Sequence, residues 1–208
     1  MSGGDRTTIE AVVQKRFGRF SLDAAMTESG FVCLAGKNGS GKTTFLKIVA
    51  GLTEPDGGHV KVNGREITNL AIEKRGVVLV TPGSSIPGME VEKHLRWGLR
   101  LRRAEVSEEK VASVKRELGI DFQGQVGKLS LGMCERISLA TALLAAPSGI
   151  LVDEAFSNLH EREAFIASYR RLAADAGIHV IFSTQDESDG KLAQHLYTLD
   201  DGRATKRF

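Results

Sequence analysis

Apolar runs of two lengths recur along this chain, and polar or glycine-rich breaks divide them into strand-sized and helix-sized pieces. Residues 8–15 and 20–26 alternate apolar and polar positions on either side of Phe17-Gly18-Arg19, which predicts an antiparallel hairpin. Phe31-Val32-Cys33-Leu34-Ala35 predicts a buried strand, and residues 44–50 a helix ending at Gly51. After the loop Pro55-Asp56-Gly57-Gly58, residues 59–62 lead into Asn63-Gly64, a strong short-range hairpin signal. These pieces predict a small antiparallel sheet beside a central core. Gly76-Val77-Val78-Leu79-Val80 is a continuous apolar run suited to a strand buried on both faces of a parallel sheet, stopped by Thr81-Pro82-Gly83. Residues 91–101 and 107–118 carry helical periodicity with no strand signal between them, and Ser107 before Glu108-Glu109 reads as a helix start. A helical subdomain over about residues 83–145 is expected there, closing with a helix from Leu129-Ser130 to Leu144 before Pro147. Strand 150–152, helix 160–176, strand 179–183 and a hairpin from 196 to 208 around Asp200-Asp201-Gly202 complete the pattern. Strands alternating with helices make this an α/β fold with a mixed sheet.

At 208 residues the chain is expected to form a single domain, 1–208, with one subdomain inserted. A hydrophobic content of 41% and a charged content of 26% fit a soluble globular protein. A formal charge of +2, with no dense basic stripe, argues against a nucleic-acid partner. Cys33 and Cys134 have no metal-ligand spacing and no disulfide framework, so both read as core or near-core thiols. The first residues form no apolar signal region, and no run approaches the roughly 20 apolar residues of a membrane span. A cytoplasmic location is therefore expected.

Candidate chemistry centres on Gly36-Lys37-Asn38-Gly39-Ser40-Gly41-Lys42-Thr43, set between the strand at 31–35 and the helix opening at Thr44. Strand, glycine loop and helix in that order make a phosphate-binding P-loop. The glycines let successive N–H groups converge on phosphate oxygens, and the helix aims its positive end at the same anion. Lys42 is placed to reach the β- and γ-phosphates, and the Thr43 hydroxyl to serve Mg²⁺. The plain alternative is a glycine-rich turn with no ligand.

Further along stand a Leu-Ser-x-Gly helix start at 129–132, a strand ending in Asp153-Glu154 and a strand ending in Ser183-Thr184. This ordered set resembles the nucleotide-binding subunits of ATP-binding cassette (ABC) transporters, from about Ile9 to the C-terminus. The resemblance implies a P-loop NTPase core with an N-terminal antiparallel β subdomain and the inserted helical subdomain. It also implies ATP and Mg²⁺ as ligands, bound by residues 36–44. Phe17 would stack on adenine, Asp153 would hold Mg²⁺ through water, and Glu154 would act as general base. Ser130 and Gly132 resemble the signature that caps the γ-phosphate of a second subunit in a head-to-tail dimer. The implied partners are a transmembrane permease, docked through the block 91–118, and a second ATP-binding subunit, identical or different. The implied location is peripheral, on the inner face of the membrane.

Several positions depart from the family pattern. Leu131 and Met133 replace Gly and Gln in the signature, and Thr81-Pro82 stands where Gln is usual. Gln185 replaces the switch histidine, His160 an aspartate, and Ala155 a proline. Gln185 can donate a hydrogen bond to a γ-phosphate but carries no charge. Two readings follow: an ATPase subunit driving solute transport, and an ATP-binding module that signals or stabilises by occupancy with little hydrolysis. A P-loop kinase is a third, but it gives the signature and Asp153-Glu154 no place. Roughly 50 residues between Thr81 and Ser130 are too few for the long coiled coil of DNA-handling relatives.

Overall fold

The computed structural model describes residues 8–102 and 107–208. The N-terminal segment inspected above for a signal region lies outside them. Contacts divide the chain into two compact units. One holds the described part of Met1–Leu79 with Ser148–Asp153 and His179–Phe208; the other holds the described part of Val80–Pro147 with Glu154–Ile178.

In the first unit, β1 (Ile9–Phe17) and β2 (Phe20–Glu28) pair antiparallel from Ile9↔Glu28 to Phe17↔Phe20. Along β2 every second side chain from Leu22 is buried, the period of a strand with one solvated face. β3 (Phe31–Ala35) is buried throughout and feeds α1 (Lys42–Ala50). β4 (Gly57–Val62) and β5 (Arg65–Glu66) turn at Asn63 and Gly64, whose φ values of 52° and 74° are those the tight primed turn requires. After β6 (Val77–Val80), β7 (Gly149–Asp153) and β8 (His179–Thr184), a last hairpin joins β9 (His195–Asp200) to β10 (Arg203–Lys206). Among the described residues the strands form one ten-stranded sheet, in the order β5-β4-β1-β2-β10-β9-β3-β8-β7-β6.

Two expectations change here. The antiparallel strands do not form a separate small sheet, because β10 pairs parallel with β2 at Arg203↔Asp23 and carries the hydrogen bonding across. Among the described residues β6 is the last strand of the order, with Val78 and Leu79 half-buried, because it has a neighbouring strand on one side only. Beneath the sheet α1 packs Phe45, Leu46 and Ile48 against a cluster that includes Leu34, Leu151 and Ile181.

The C-terminal end of α1 rests on a buried cation. Arg75 is 6% exposed and donates from Nη1 to the Ile48 and Val49 carbonyls, from Nε to Leu70 and from Nη2 to Thr68. Helix-end carbonyls have no partners within the helix, and a cation there also complements the dipole. Burial lowers the Arg75 pKa from its ordinary value. Replacing Arg75 with Met keeps much of the volume but takes this donor from the Val49, Leu70 and Thr68 carbonyls, while Ile48 keeps the Gly51 amide. Urea unfolding of Arg75→Met is expected to show a loss of about 2–4 kcal/mol at an unchanged m-value.

The second unit is helical, with α2 (Val91–Arg102), α3 (Glu108–Glu117), α4 (Leu131–Leu144) and α5 (Arg162–Asp175). Ser107 caps α3, its hydroxyl accepting from the Lys110 amide at 3.2 Å. Phe156, Phe165 and Tyr169 form an aromatic cluster, and the Tyr169 hydroxyl, fully buried, donates to the Leu139 carbonyl of α4 at 3.3 Å.

Candidate functional site

Three neighbouring parallel strands bring the first group of residues to one edge. The register sets Ala35 of β3 beside Thr184 of β8, and Ser183 of β8 beside Asp153 of β7. Their C-terminal ends therefore lie together, where open α/β sheets bind ligands. The glycine loop rises from β3, and the Gly36 amide donates to the Thr184 carbonyl at 3.1 Å.

Each of two glycines meets a specific spatial demand in the loop. A Cβ on Gly36 would lie 2.3 Å from the Leu199 carbonyl oxygen, and Gly41 holds φ at 108° with its absent Cβ 2.9 Å from the Phe20 ring. The Ser40 amide donates to Lys37 and the Ser40 carbonyl accepts from Gly202, so the loop is fixed from both sides. Lys42 is 4% exposed and donates to the Gly36 and Lys37 carbonyls at 2.6 and 3.0 Å. Gly41 gives the start of α1 no side-chain cap, and no acidic residue lies in its first turn. The buried Ser40 hydroxyl has no hydrogen-bond partner among the described residues. A tightly shaped loop with an orphan hydroxyl, an uncapped helix start and a buried ammonium fits a polyphosphate. Lys37, Asn38 and Gly39 are exposed, as is Thr43, while Thr44 is half-buried.

Asp153 is buried at the end of β7, and its Oδ1 accepts from the Ser183 hydroxyl at 2.7 Å. Thr43 and Asp153 supply the oxygen atoms that Mg²⁺ prefers, and this ion commonly takes few protein ligands beside phosphate and water. Among the described residues no group of three or more His, Cys, Asp or Glu could hold a metal by itself. Gln185 is exposed just after β8. Its neighbours are anchored: the Thr184 hydroxyl donates to Asp189 at 2.5 Å and accepts from the Asp186 amide at 3.1 Å. Phe17 is 48% exposed at the end of β1, and Lys15 lies over its ring at 5.6 Å. Its cross-strand partner Phe20 is the residue whose ring lies against Gly41. Phe17 thus stands one strand step from the loop.

The second unit carries the remaining positions. Ser130 caps α4, its hydroxyl accepting from the Met133 amide at 3.3 Å. Leu131 is 54% exposed, and a Cβ on Gly132 would lie 2.8 Å from the Asn158 carbonyl oxygen. Thr81 and Pro82 line a cleft of about 340 Å³ with Leu129, Leu131 and Glu135. Glu154 follows Asp153 directly and opens this unit with φ at +57°, in the left-handed region. The Ser157 amide donates to its carbonyl. Ala155 is fully buried, and the exposed His160 offers its carbonyl to Arg136.

Sequence reasoning gave no role to Ser183, Asp189 or Asn158. The Ser183-Thr184 pair at a strand end was the available signal for the first. The other two act through contacts that no local pattern announces.

A family model described as ABC transporter matches residues 21–157. The sulfate/thiosulfate import ATP-binding protein CysA of Mycolicibacterium paratuberculosis is 31% identical over 97% of this chain and 60% of its own length. The spermidine/putrescine import ATP-binding protein PotA of Thermobifida fusca is 29% identical over 88% of this chain and 50% of its own. The chain therefore spans about three-fifths or less of the length of these curated relatives. A solved ATP-binding subunit of an ABC transporter superposes with a TM-score of 0.80 at 21% identity, covering 97% of this chain and 90% of that one, which establishes the shared fold. Since the matched span is more than half of the 208 residues, the chain belongs to the ABC transporter family.

Proposed function

We propose that this chain is the ATP-hydrolysing subunit of a transporter, acting as a head-to-tail dimer on a transmembrane partner. The observation that carries the reading is the phosphate cradle at the C-terminal ends of β3, β8 and β7, with Lys42 and Asp153 both buried at that edge. The names of the relatives, ATP-binding proteins of sulfate/thiosulfate and polyamine import, support the transport role. Among the described residues no helix is long and apolar enough to cross a membrane. The reading puts the chain on the inner face of the membrane, bound to its transmembrane partner.

In this reading the loop amides and Lys42 hold the β- and γ-phosphates of ATP, and Phe17 stacks on the base. Thr43 and Asp153 would hold Mg²⁺, which would neutralise charge on the transferring phosphoryl group. Glu154 takes a proton from the attacking water, and Gln185 hydrogen-bonds the γ-phosphate. Ser130 and the start of α4 face the γ-phosphate of the other subunit. A second reading, the ATP-binding module with slow turnover, is favoured by one observation. Leu131 puts an exposed side chain beside Ser130, where the family pattern has glycine.

The dimer is tested by sedimentation of Glu154→Gln with Mg²⁺-ATP. A nucleotide-dependent dimer is expected, because the uncleaved γ-phosphate holds both halves. A monomer at every nucleotide concentration would remove the dimeric motor.

A further inference from the structure

The loop that follows Glu154 is bracketed by two strained residues. Glu154 at φ +57° and Glu161 at φ +52° both occupy the left-handed region, and neither is a glycine. Such residues persist only where surrounding contacts over-determine them. Here those contacts come from the start of α4. Glu135, 2% exposed, accepts from the Asn158 side-chain amide at 2.8 Å through Oε1. Gly132 lets the Asn158 carbonyl approach where a Cβ would stand at 2.8 Å. Arg136 closes the far end, donating from Nη2 to the His160 carbonyl at 2.7 Å and from Nη1 to the Leu118 carbonyl at 2.8 Å, with its guanidinium 5.0 Å from the Phe165 ring centre.

Glu135 is costly as a mere packing residue. Its Oε2 is buried with no hydrogen-bond partner among the described residues, and an apolar side chain of that size would avoid the penalty. What the carboxyl supplies in return is a bond to the middle of this loop from the helix that begins at Ser130.

We infer that Glu135 is a positioning residue, which through Asn158 locks the loop 154–161 to the first turns of α4 and thereby fixes the backbone that presents Glu154. The inference rests on the proposed role of Glu154 as general base. It predicts that the signature end of α4 and the loop carrying Glu154 move as one body.

The test combines kinetics with hydrogen exchange on the full chain. Asn158→Asp sets two carboxyl groups against each other and breaks the clasp. It is expected to lower kcat about 10–100-fold, the cost of misplacing a catalytic group, with KM for ATP little changed. Amides 157–160 and the first turn of α4 should gain exchange together. Adding Glu135→Gln supplies an amide donor to Asp at position 158 and should restore both kcat and protection, a rescue that nonspecific damage to the fold would not permit. Unchanged kcat and protection in Asn158→Asp, or no rescue in the double variant, would overturn the inference. If the wild-type protein shows no Mg²⁺-ATP hydrolysis, the functional reading fails, and the exchange data alone still decide whether the clasp exists.

Discussion

Lys42→Met is expected to weaken ATP binding about 10–100-fold while leaving the stability of the nucleotide-free fold within about 1 kcal/mol of wild type. The asymmetry follows from where the ammonium sits. It donates to the Gly36 and Lys37 carbonyls at 2.6 and 3.0 Å, and Lys37 is exposed while Gly36 is half-buried. Water can reach those carbonyls when the ammonium is gone, and methionine keeps the buried stem. A bound triphosphate has no such substitute, because charge-assisted hydrogen bonds to its oxygens are worth about 1.5–3 kcal/mol each. Thermal unfolding with and without Mg²⁺-ATP separates the two effects. The wild-type melting temperature should rise with nucleotide by mass action, and the variant should show the same starting value with most of that rise lost. A variant that melts far below wild type without nucleotide would mean that Lys42 is chiefly a structural residue.

Glu154→Gln has the other large effect, and it falls on the chemical step. General-base catalysis contributes about 10²–10⁴-fold, so kcat is expected to drop by that factor while affinity for ATP stays close to wild type. Gln is nearly isosteric and tolerates the same left-handed backbone no worse than Glu, so the φ of +57° is retained. Single-turnover phosphate release measured beside equilibrium nucleotide binding resolves the two terms. An undiminished rate would assign the base to another group and would leave the strain at position 154 without its proposed use.

Much of the architecture was readable because local chemistry and the global fold agree. The glycine loop is announced by the spacing of its glycines between a strand and a helix, and Gly36 and Gly41 allow the close approach of the Leu199 carbonyl and the Phe20 ring that shapes a tight turn there. Ser107 and Ser130 were legible as helix starts because a short hydroxyl before a helical run accepts an orphan amide, and both do so. Asn63-Gly64 marked its hairpin through the positive φ that both residues adopt.

What was not legible depends on contacts far apart in the chain. Arg75 ends the charged run Glu73-Lys74-Arg75, where nothing local signals burial, yet it is buried against carbonyls of residues 48 and 49. Nothing at residues 203–206 signals that they bridge the antiparallel and parallel parts of one sheet, since the parallel pairing of β10 with β2 depends on where the β9–β10 hairpin lands. The edge position of β6 was hidden for a similar reason. An apolar run records burial, but not how many neighbours a strand has. Glu135 looks like an ordinary helical acid one turn into α4, and its partner Asn158 lies 23 residues later, across β7. The candidate nucleotide residues were found by motif, whereas Ser183, Asp189 and Glu135, which hold neighbouring candidate residues or the loop that carries them, had to be found by contact.

If ATP is hydrolysed in a site completed by a second subunit, as proposed, steady-state phosphate release from the purified protein with Mg²⁺-ATP climbs more steeply than protein concentration and is all but lost in Glu154→Gln. ATP that binds but is released unhydrolysed, at a rate no different from Glu154→Gln at any concentration, would contradict the proposal.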